Sequence, residues 1–272
     1  MDAATSLWHG RRVLVTGCTG FLGGAVTREL LDRGAHVVGL VRDRKGAAQY
    51  APECAAKRFY VVDGRAEDAI RLHTTMAVHD VSAVFHLADS ARGTDAVSRA
   101  ACLHDKRMPV VMARPFLQLR LANRQAPPAV PLGVARFGEL FGGGDRKVAR
   151  VVPRTAIGLL TGERAPPTDG PARDFVHVRD AARACLAVAE VVERHAESLD
   201  LTFRSGWMLT ESAMAALVAD VFEGRTPEPA DAVPNNPLGW QPATTLRDAL
   251  AETIDWYREF GRTEVAGARR AA

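Results

Sequence analysis

Residues 12–23 read Arg12-Val13-Leu14-Val15-Thr16-Gly17-Cys18-Thr19-Gly20-Phe21-Leu22-Gly23, and their reading decides the fold. The run RVLVT is apolar and β-branched, which predicts a short strand buried on both faces. Beyond it, Phe21, Leu22, Ala25, Val26 and Leu30 recur at helical spacing, predicting a helix over Phe21–Arg33 that Gly34 ends. The three glycines between have separate tasks. Gly17 makes the tight turn, Gly20 lets the backbone approach a pyrophosphate, and Gly23 lets the helix pack closely on the sheet. The helix N-terminus then offers unpaired N–H groups to an anion. A merely tight turn would explain one glycine but not this strand-to-helix junction. The stretch therefore points to a dinucleotide site contacted by Gly17, Thr19, Gly20, Phe21, Leu22 and Gly23.

Working outward, further strands are predicted at His36–Val41 (HVVGLV), Phe59–Val62, Ala83–Leu87 (AVFHL), Met108–Ala113 (MPVVMA) and Pro131–Phe137 (PLGVARF). Apolar strands alternating with helices predict an α/β fold, a doubly wound parallel sheet of the Rossmann type. The second half is punctuated by Pro/Gly-rich stretches at 125–131, 162–170 and 226–237. Between them fall helices with core stripes. One covers Val178–His195, and one is capped by Thr210 and carries Met214, Leu217, Val218 and Val221. The last carries Leu246, Ala249, Leu250, Ile254 and Tyr257 and is expected to end near Gly261. This predicts a nucleotide-binding domain over 1–160, to which about 171–200 returns, and a smaller, partly helical C-terminal substrate lobe over 161–262. The tail at 263–272 is expected to fray.

Cofactor choice turns on the end of the second strand, Gly39-Leu40-Val41-Arg42-Asp43-Arg44. An acid there would hold the ribose 2′-OH of NAD, but Val41 or Arg42 takes the expected position and Asp43 lies just beyond. Arg42 and Arg44 suit a 2′-phosphate, whereas Asp43 reaching back suits a ribose. The arginines tilt the expectation toward NADP over NAD.

Composition excludes several other classes. With 272 residues, 47% of them hydrophobic, and a net charge of +3, the chain can bury a core and is not generally disordered. Its 35 basic residues are scattered among 32 acidic ones with no basic block, so no nucleic-acid partner is expected. Cys18, Cys54, Cys102 and Cys185 form no C-x-x-C pair, which argues against a disulfide framework or a metal site and for a reducing compartment. No apolar run reaches about 18 residues, and residues 1–12 lack an apolar leader core, so no membrane partner and a cytoplasmic location are expected. Two small counts matter more. There are four lysines (Lys45, Lys57, Lys106, Lys147) and three tyrosines (Tyr50, Tyr60, Tyr257).

Five stretches together resemble the extended short-chain dehydrogenase/reductase family, specifically its NAD(P)-dependent sugar-nucleotide epimerases and dehydratases. They are GCTGFLG at 17–23, VFHLA at 84–88, RFGELFGGGD at 136–145, RDFVHVRD at 173–180, and LGWQP at 238–242 followed by a helix through Asp255-Trp256-Tyr257. The resemblance covers nearly the whole chain, with 4,6-dehydratases nearest in order and wording. It implies a sugar-nucleotide ligand, with Leu87 and Ala88 beside the cofactor and Arg173 on the diphosphate. It also places Glu139 in the substrate-side loop, where the family usually carries asparagine.

The family's chemistry rests on a tyrosine and a lysine four residues apart on one helix, with a Ser or Thr near the end of the fifth strand. The lysine lowers the tyrosine pKa so that it can carry a proton while hydride moves. Four residues after Tyr50, Tyr60 and Tyr257 stand Cys54, Gly64 and Gly261, so no Tyr-x-x-x-Lys exists. MPVVMA ends in Ala113-Arg114-Pro115 where Ser/Thr is expected, and only Phe116–Val130 precedes the next strand. The segment is short by about one strand-to-helix unit relative to the resembled family, whose paired-helix homodimer is thereby put in doubt; the oligomeric state stays open.

Three readings follow. The chain is a noncanonical NAD(P)-dependent enzyme acting on a sugar nucleotide, with substitute groups drawn from His86, Asp89, Ser90 and Glu139 near the strands' carboxyl ends, or from His104 and Lys106. Alternatively, it is a catalytically inactive NAD(P)- or nucleotide-binding pseudoenzyme acting as a partner or regulator. A vestigial product is the third reading, against which the coherent helices after the shortened segment speak. Each residue also has a plainer role. His86 can simply pack, Asp89 and Glu139 can position, and Arg173 can form a surface ion pair with Asp169 or Asp174.

Overall fold

The computed structural model describes residues 6–42, 57–116, 130–163, 170–225 and 235–271, with side chains through Phe260 except at Ala91. In chain order the elements begin β1 (Arg12–Thr16), α1 (Phe21–Asp32), β2 (His36–Val41), β3 (Phe59–Asp63), α2 (Ala69–His79), β4 (Ala83–His86) and α3 (Ala91–His104). Next come β5 (Val110–Pro115), β6 (Leu132–Phe137), β7 (Glu139–Phe141), α4 (Val151–Thr161), β8 (Arg173–His177) and α5 (Val178–His195). The chain ends with β9 (Leu199–Thr202), β10 (Met208–Leu209), α6 (Glu211–Phe222) and α7 (Leu246–Ala271). Seven strands form one sheet in the order β3-β2-β1-β4-β5-β6-β9. Its pairings run parallel, with Val15 opposite both Gly39 and Phe85. The order reverses direction beside β1, the topological switch point at which doubly wound folds bind ligands.

Two compact units emerge, Met1–Arg136 with Ala181–Phe203, and Phe137–Asp180 with Arg204–Ala272. The first stretch of the first unit ends at Arg136, just before Gly138. A Cβ on Gly138 would lie 2.0 Å from the Asp174 carbonyl oxygen. That close approach takes the chain out of the large sheet and into a three-stranded one, ordered β10-β8-β7. The return to the first unit therefore begins at Ala181, not near 171, because β8 belongs to the smaller sheet. The last helix does not stop at Gly261; its backbone stays helical through Ala271, where a frayed tail was expected.

In the first unit, Leu14, Val38, Val84, Val110 and Leu132 pack beneath Leu72 and Met76 of α2 and Val97 and Ala100 of α3. Each such fully buried aliphatic side chain contributes about 1.5–3 kcal/mol. Gly133 lets α5 approach β6, since a Cβ there would meet a Val188 methyl at 2.4 Å. The second unit has its own core, with Phe141, Phe175, Trp207, Met214, Val218, Leu250, Ile254 and Tyr257 buried together. Between β5 and its sheet neighbour β6 lie residues 116–131 alone, close to the dozen or so that a parallel crossover requires. Among the described residues, no helix is long and apolar enough to cross a membrane.

Candidate functional site

The β1–α1 turn is built by sterics. Gly17 sits at φ +75, and a Cβ on it would lie 2.7 Å from the Ala88 amide nitrogen. The turn is thus pressed against the strand-end residues Leu87 and Ala88, and Leu87 N–H donates to the Thr16 carbonyl at 3.0 Å. Gly23 is held as tightly, because a Cβ there would fall 1.9 Å from the Gly17 carbonyl oxygen. Gly20 caps α1 without any side-chain hydrogen bond. Among the described residues no acceptor answers the Phe21 and Leu22 N–H groups. Such a bare helix N-terminus behind a glycine turn fits the pyrophosphate of a dinucleotide.

At the neighbouring strand ends, Val41 pairs with Asp63, and Arg42 follows exposed. Asp43, like Arg44, lies outside the described residues. Glu67 and Arg65, which carried no sequence signal, join Arg42 here. The Ser90 hydroxyl donates to Glu67 Oε1 at 2.5 Å and holds that carboxyl below its ordinary range, with the positive fields of Arg65 and Arg42 adding less.

The candidate proton-transfer groups after β4 are placed unequally. His86 is fully buried, its Nδ1 is 2.7 Å from Thr16 Oγ1, and its Nε2 meets no hydrogen-bond partner. Burial pushes its pKa down to about 4, and the Arg114 guanidinium presses the same way, so the ring is neutral at pH 7. The first turn of α3 covers it, since a Cβ on Gly93 would touch His86 Cε1 at 3.0 Å. Ser90 is the α3 N-cap, accepting from Gly93 N–H at 3.0 Å while donating to Glu67. Asp89 is exposed. Arg114 occupies the β5 end where the family's hydroxyl was sought, and its guanidinium donates to the Ala113 carbonyl at 3.0 Å and Thr94 Oγ1 at 3.3 Å. His104 instead faces the Val81 carbonyl at 3.1 Å. Of the described tyrosines, Tyr60 donates to the Lys57 carbonyl, and buried Tyr257 donates to the Asp145 carbonyl at 2.6 Å. Burial raises the Tyr257 pKa, the reverse of what a proton-shuttling phenol needs.

In the second unit, β7 and β8 lie parallel with Glu139 opposite Phe175, which puts Glu139 beside Arg173. Charges then alternate along one file: Asp145, Arg150, Glu139, Arg173, Glu211, Arg154. Its ends are firm, with Arg150 to Asp145 and Arg154 to Glu211 both at 3.1 Å. Its middle is loose. Glu139 stands 3.6 Å from Arg150 and 3.7 Å from Arg173, and Arg173 stands 3.4 Å from Glu211. Arg173 pairs here with two glutamates rather than with Asp174, whose buried carboxylate accepts from Ser205 and Gly206. Asp169 lies outside the described residues. Arg150, Arg154 and Glu211 were missed because no sequence period joins them to β7. No three His, Cys, Asp or Glu gather as a metal site among the described residues.

A doubly wound sheet with a glycine cradle at its switch point defines a dinucleotide-binding protein. The profile of the NAD dependent epimerase/dehydratase family matches residues 13–111 and 118–201, and the chain belongs to that family. GDP-L-fucose synthase 1 from Arabidopsis thaliana is 35% identical over 103 residues, covering 33% of this chain and 31% of that one. Putative GDP-L-fucose synthase 2 from the same plant is 32% identical over 103 residues, covering 33% and 30%. The match thus spans under a third of these relatives' length. Among solved structures, an epimerase from Methanothermobacter thermautotrophicus superposes with a TM-score of 0.75 at 21% identity, covering 94% of each chain. UDP-glucose 4-epimerase from Thermotoga maritima, solved with UDP-glucose, gives 0.70 at 18% identity over 92% of this chain and 99% of its own. The Bordetella bronchiseptica enzyme WbmH, solved with NAD+, gives 0.70 at 20% over 93% and 100%. These likenesses establish the fold.

Proposed function

We propose that this chain is a noncanonical NAD(P)-dependent epimerase/dehydratase-type enzyme acting on a sugar nucleotide without the usual tyrosine–lysine pair. The observation that carries the reading is the glycine cradle, where added Cβ atoms at Gly17 and Gly23 would strike backbone at 2.7 and 1.9 Å. Bound there, a nicotinamide dinucleotide supplies a hydride acceptor and donor for a sugar carbon. The backbone of Gly17, Thr19, Gly20, Phe21, Leu22 and Gly23 holds its pyrophosphate, and Leu87 and Ala88 border it. Arg42, with Asp43 beyond it, reads the adenosine 2′ position and favours NADP over NAD. Asp89, exposed beside the cradle, is the carboxylate assigned to proton holding, and Ser90 fixes the loop that carries it. His86 packs, and Arg173 and Glu139 address the substrate. The setting is cytoplasmic and reducing, in keeping with the unpaired Cys18, Cys102 and Cys185. The short segment between β5 and β6 counts against the family's paired-helix dimer, and sedimentation of the purified chain tests this.

One observation favours a second reading, a nucleotide-binding partner or regulator without catalysis. Ser90 is committed to capping and to Glu67, and His86 is sealed. Purified protein titrated with NAD and NADP, then incubated with UDP-, GDP- and dTDP-sugars in deuterated water, separates the two. An epimerised or dehydrated sugar nucleotide is expected, with deuterium entering only at a carbon that is deprotonated in the reaction. Tight dinucleotide binding with neither an epimerised or dehydrated sugar product nor exchange would move the assignment to the regulator, and no dinucleotide binding would overturn both.

A further inference from the structure

Glu139 stands between two arginines and satisfies neither. Its Oε1 faces Arg150 Nε at 3.6 Å and its Oε2 faces an Arg173 terminal nitrogen at 3.7 Å, ion-pair distances beyond hydrogen-bond reach. The outer members of the file cannot move inward to improve this. Asp145, with 2% of its side chain exposed, accepts from Lys147 N–H at 3.0 Å and from Arg150 at 3.1 Å. Glu211 is held by Arg154 at 3.1 Å. Arg173 remains open to solvent over 46% of its side chain and, among the described residues, forms no side-chain hydrogen bond. The gap flanked by Arg150 and Arg173 is spanned by one carboxylate, and a phosphate group, larger and with more acceptor oxygens, would make charge-assisted hydrogen bonds to both. Three cations and three carboxylates already cancel here, so an incoming anion must displace an internal one.

We propose that Glu139 is an internal competitor for the anion site between Arg150 and Arg173, so that a diphosphate binds by displacing its carboxylate. This rests on the sugar-nucleotide reading above and adds what controls affinity in that reading. Arg150 becomes a diphosphate contact alongside Arg173, and Glu139 becomes a specificity residue that weakens bare nucleoside diphosphates. Ligands whose sugar supplies further contacts are affected in the same sense but are better able to offset the displacement.

Calorimetric titration of the full chain with UDP, GDP and dTDP, with uridine and guanosine as phosphate-free controls, tests this. Glu139→Gln is expected to bind a diphosphate about tenfold more tightly (about 1.4 kcal/mol). Nucleoside binding should stay unchanged, and affinity should fall more steeply with salt. Glu139→Asp, which keeps the charge, is expected to stay near wild type. Equal diphosphate affinities in wild type and Glu139→Gln, or equal tightening by Glu139→Asp, would overturn the competitor. If neither wild type nor Glu139→Gln binds any nucleoside diphosphate, the sugar-nucleotide reading falls with it.

Discussion

The turn after β1 and the turn after β5 stand at the carboxyl edge of the same sheet, and their residues are suited to very different tasks. After β1, residues 17–23 combine a strand-to-helix turn with glycines at which an added Cβ would strike backbone, as the proposed pyrophosphate site needs. After β5, Ala113-Arg114-Pro115 stands where a hydroxyl was expected, and residues 116–131 alone lead into β6. The difference lies in what each task asks of the chain. Binding a pyrophosphate uses backbone N–H groups and missing Cβ atoms, all within seven consecutive residues. Moving a proton uses several side chains on a strand and a helix held in fixed relation, so a single shortening of such a segment would remove them together.

Adding a methyl group to the first turn contrasts with removing a side chain from the second. In Gly23→Ala the new Cβ would start 1.9 Å from the Gly17 carbonyl oxygen, with backbone on both sides of the clash. The expected loss is about 3 kcal/mol in urea unfolding, together with dinucleotide binding. Arg114→Ala removes the hydrogen bonds to Ala113 and Thr94, among the contacts of this side chain. It should cost about 1 kcal/mol and leave dinucleotide binding in place. If Arg114→Ala abolishes that binding, the second turn carries cofactor chemistry and the contrast fails.

His86 links the two turns, since it bonds Thr16 before the first and feels Arg114 of the second. Its folded pKa of about 4 lies below its ordinary 6.5, so the unfolded chain takes up a proton that the folded chain refuses. Stability from this group is therefore complete above pH 6.5, falls as pH drops toward 4, and levels off below. The full drop is about 3 kcal/mol. Glu67 and the Ser90 backbone oppose the shift, and the raised pKa of Asp174 in the other unit acts in the opposite sense in acid. The measurement is accordingly the difference between wild type and His86→Asn in urea midpoints from pH 7 to pH 4. Parallel curves would mean that the ring titrates normally and is not sealed beneath α3.

The same contrast explains what could be read in advance. RVLVTGCTGFLG carries its structural consequences in consecutive residues, so strand, turn and helix were all legible. The absence of Tyr-x-x-x-Lys was legible too, because three tyrosines can be checked one by one. The file from Asp145 to Arg154 was not. Its members come from β7, the loop before α4, α4 itself, β8 and α6, and only the register of β7 on β8 brings Glu139 to Arg173. Ser90 looked like a reactive hydroxyl because its role as N-cap depends on Gly93, and its second bond on Glu67, 23 positions away. The close approach of Gly138 to Asp174, where β7 meets β8, is a feature visible only in three dimensions.

Between the turn after β1 and the neighbouring end of β2, backbone and side chain should separate once more, at a smaller scale. Arg42 follows β2 as an exposed side chain, and its field reaches Glu67 together with that of Arg65. If the cradle supplies the affinity for a pyrophosphate, removing Arg42 must leave NAD binding nearly untouched. What it should change is the response to a 2′-phosphate, whose charge-assisted bond to one solvent-exposed arginine is worth about 1 kcal/mol. Arg42→Ala is thus expected to lower the ratio of NADP to NAD affinity about fivefold, read by titrating both dinucleotides against one preparation. An equal fall for both would place Arg42 in the pyrophosphate cradle, and an unchanged ratio would remove it from the 2′ site and leave that choice to Asp43.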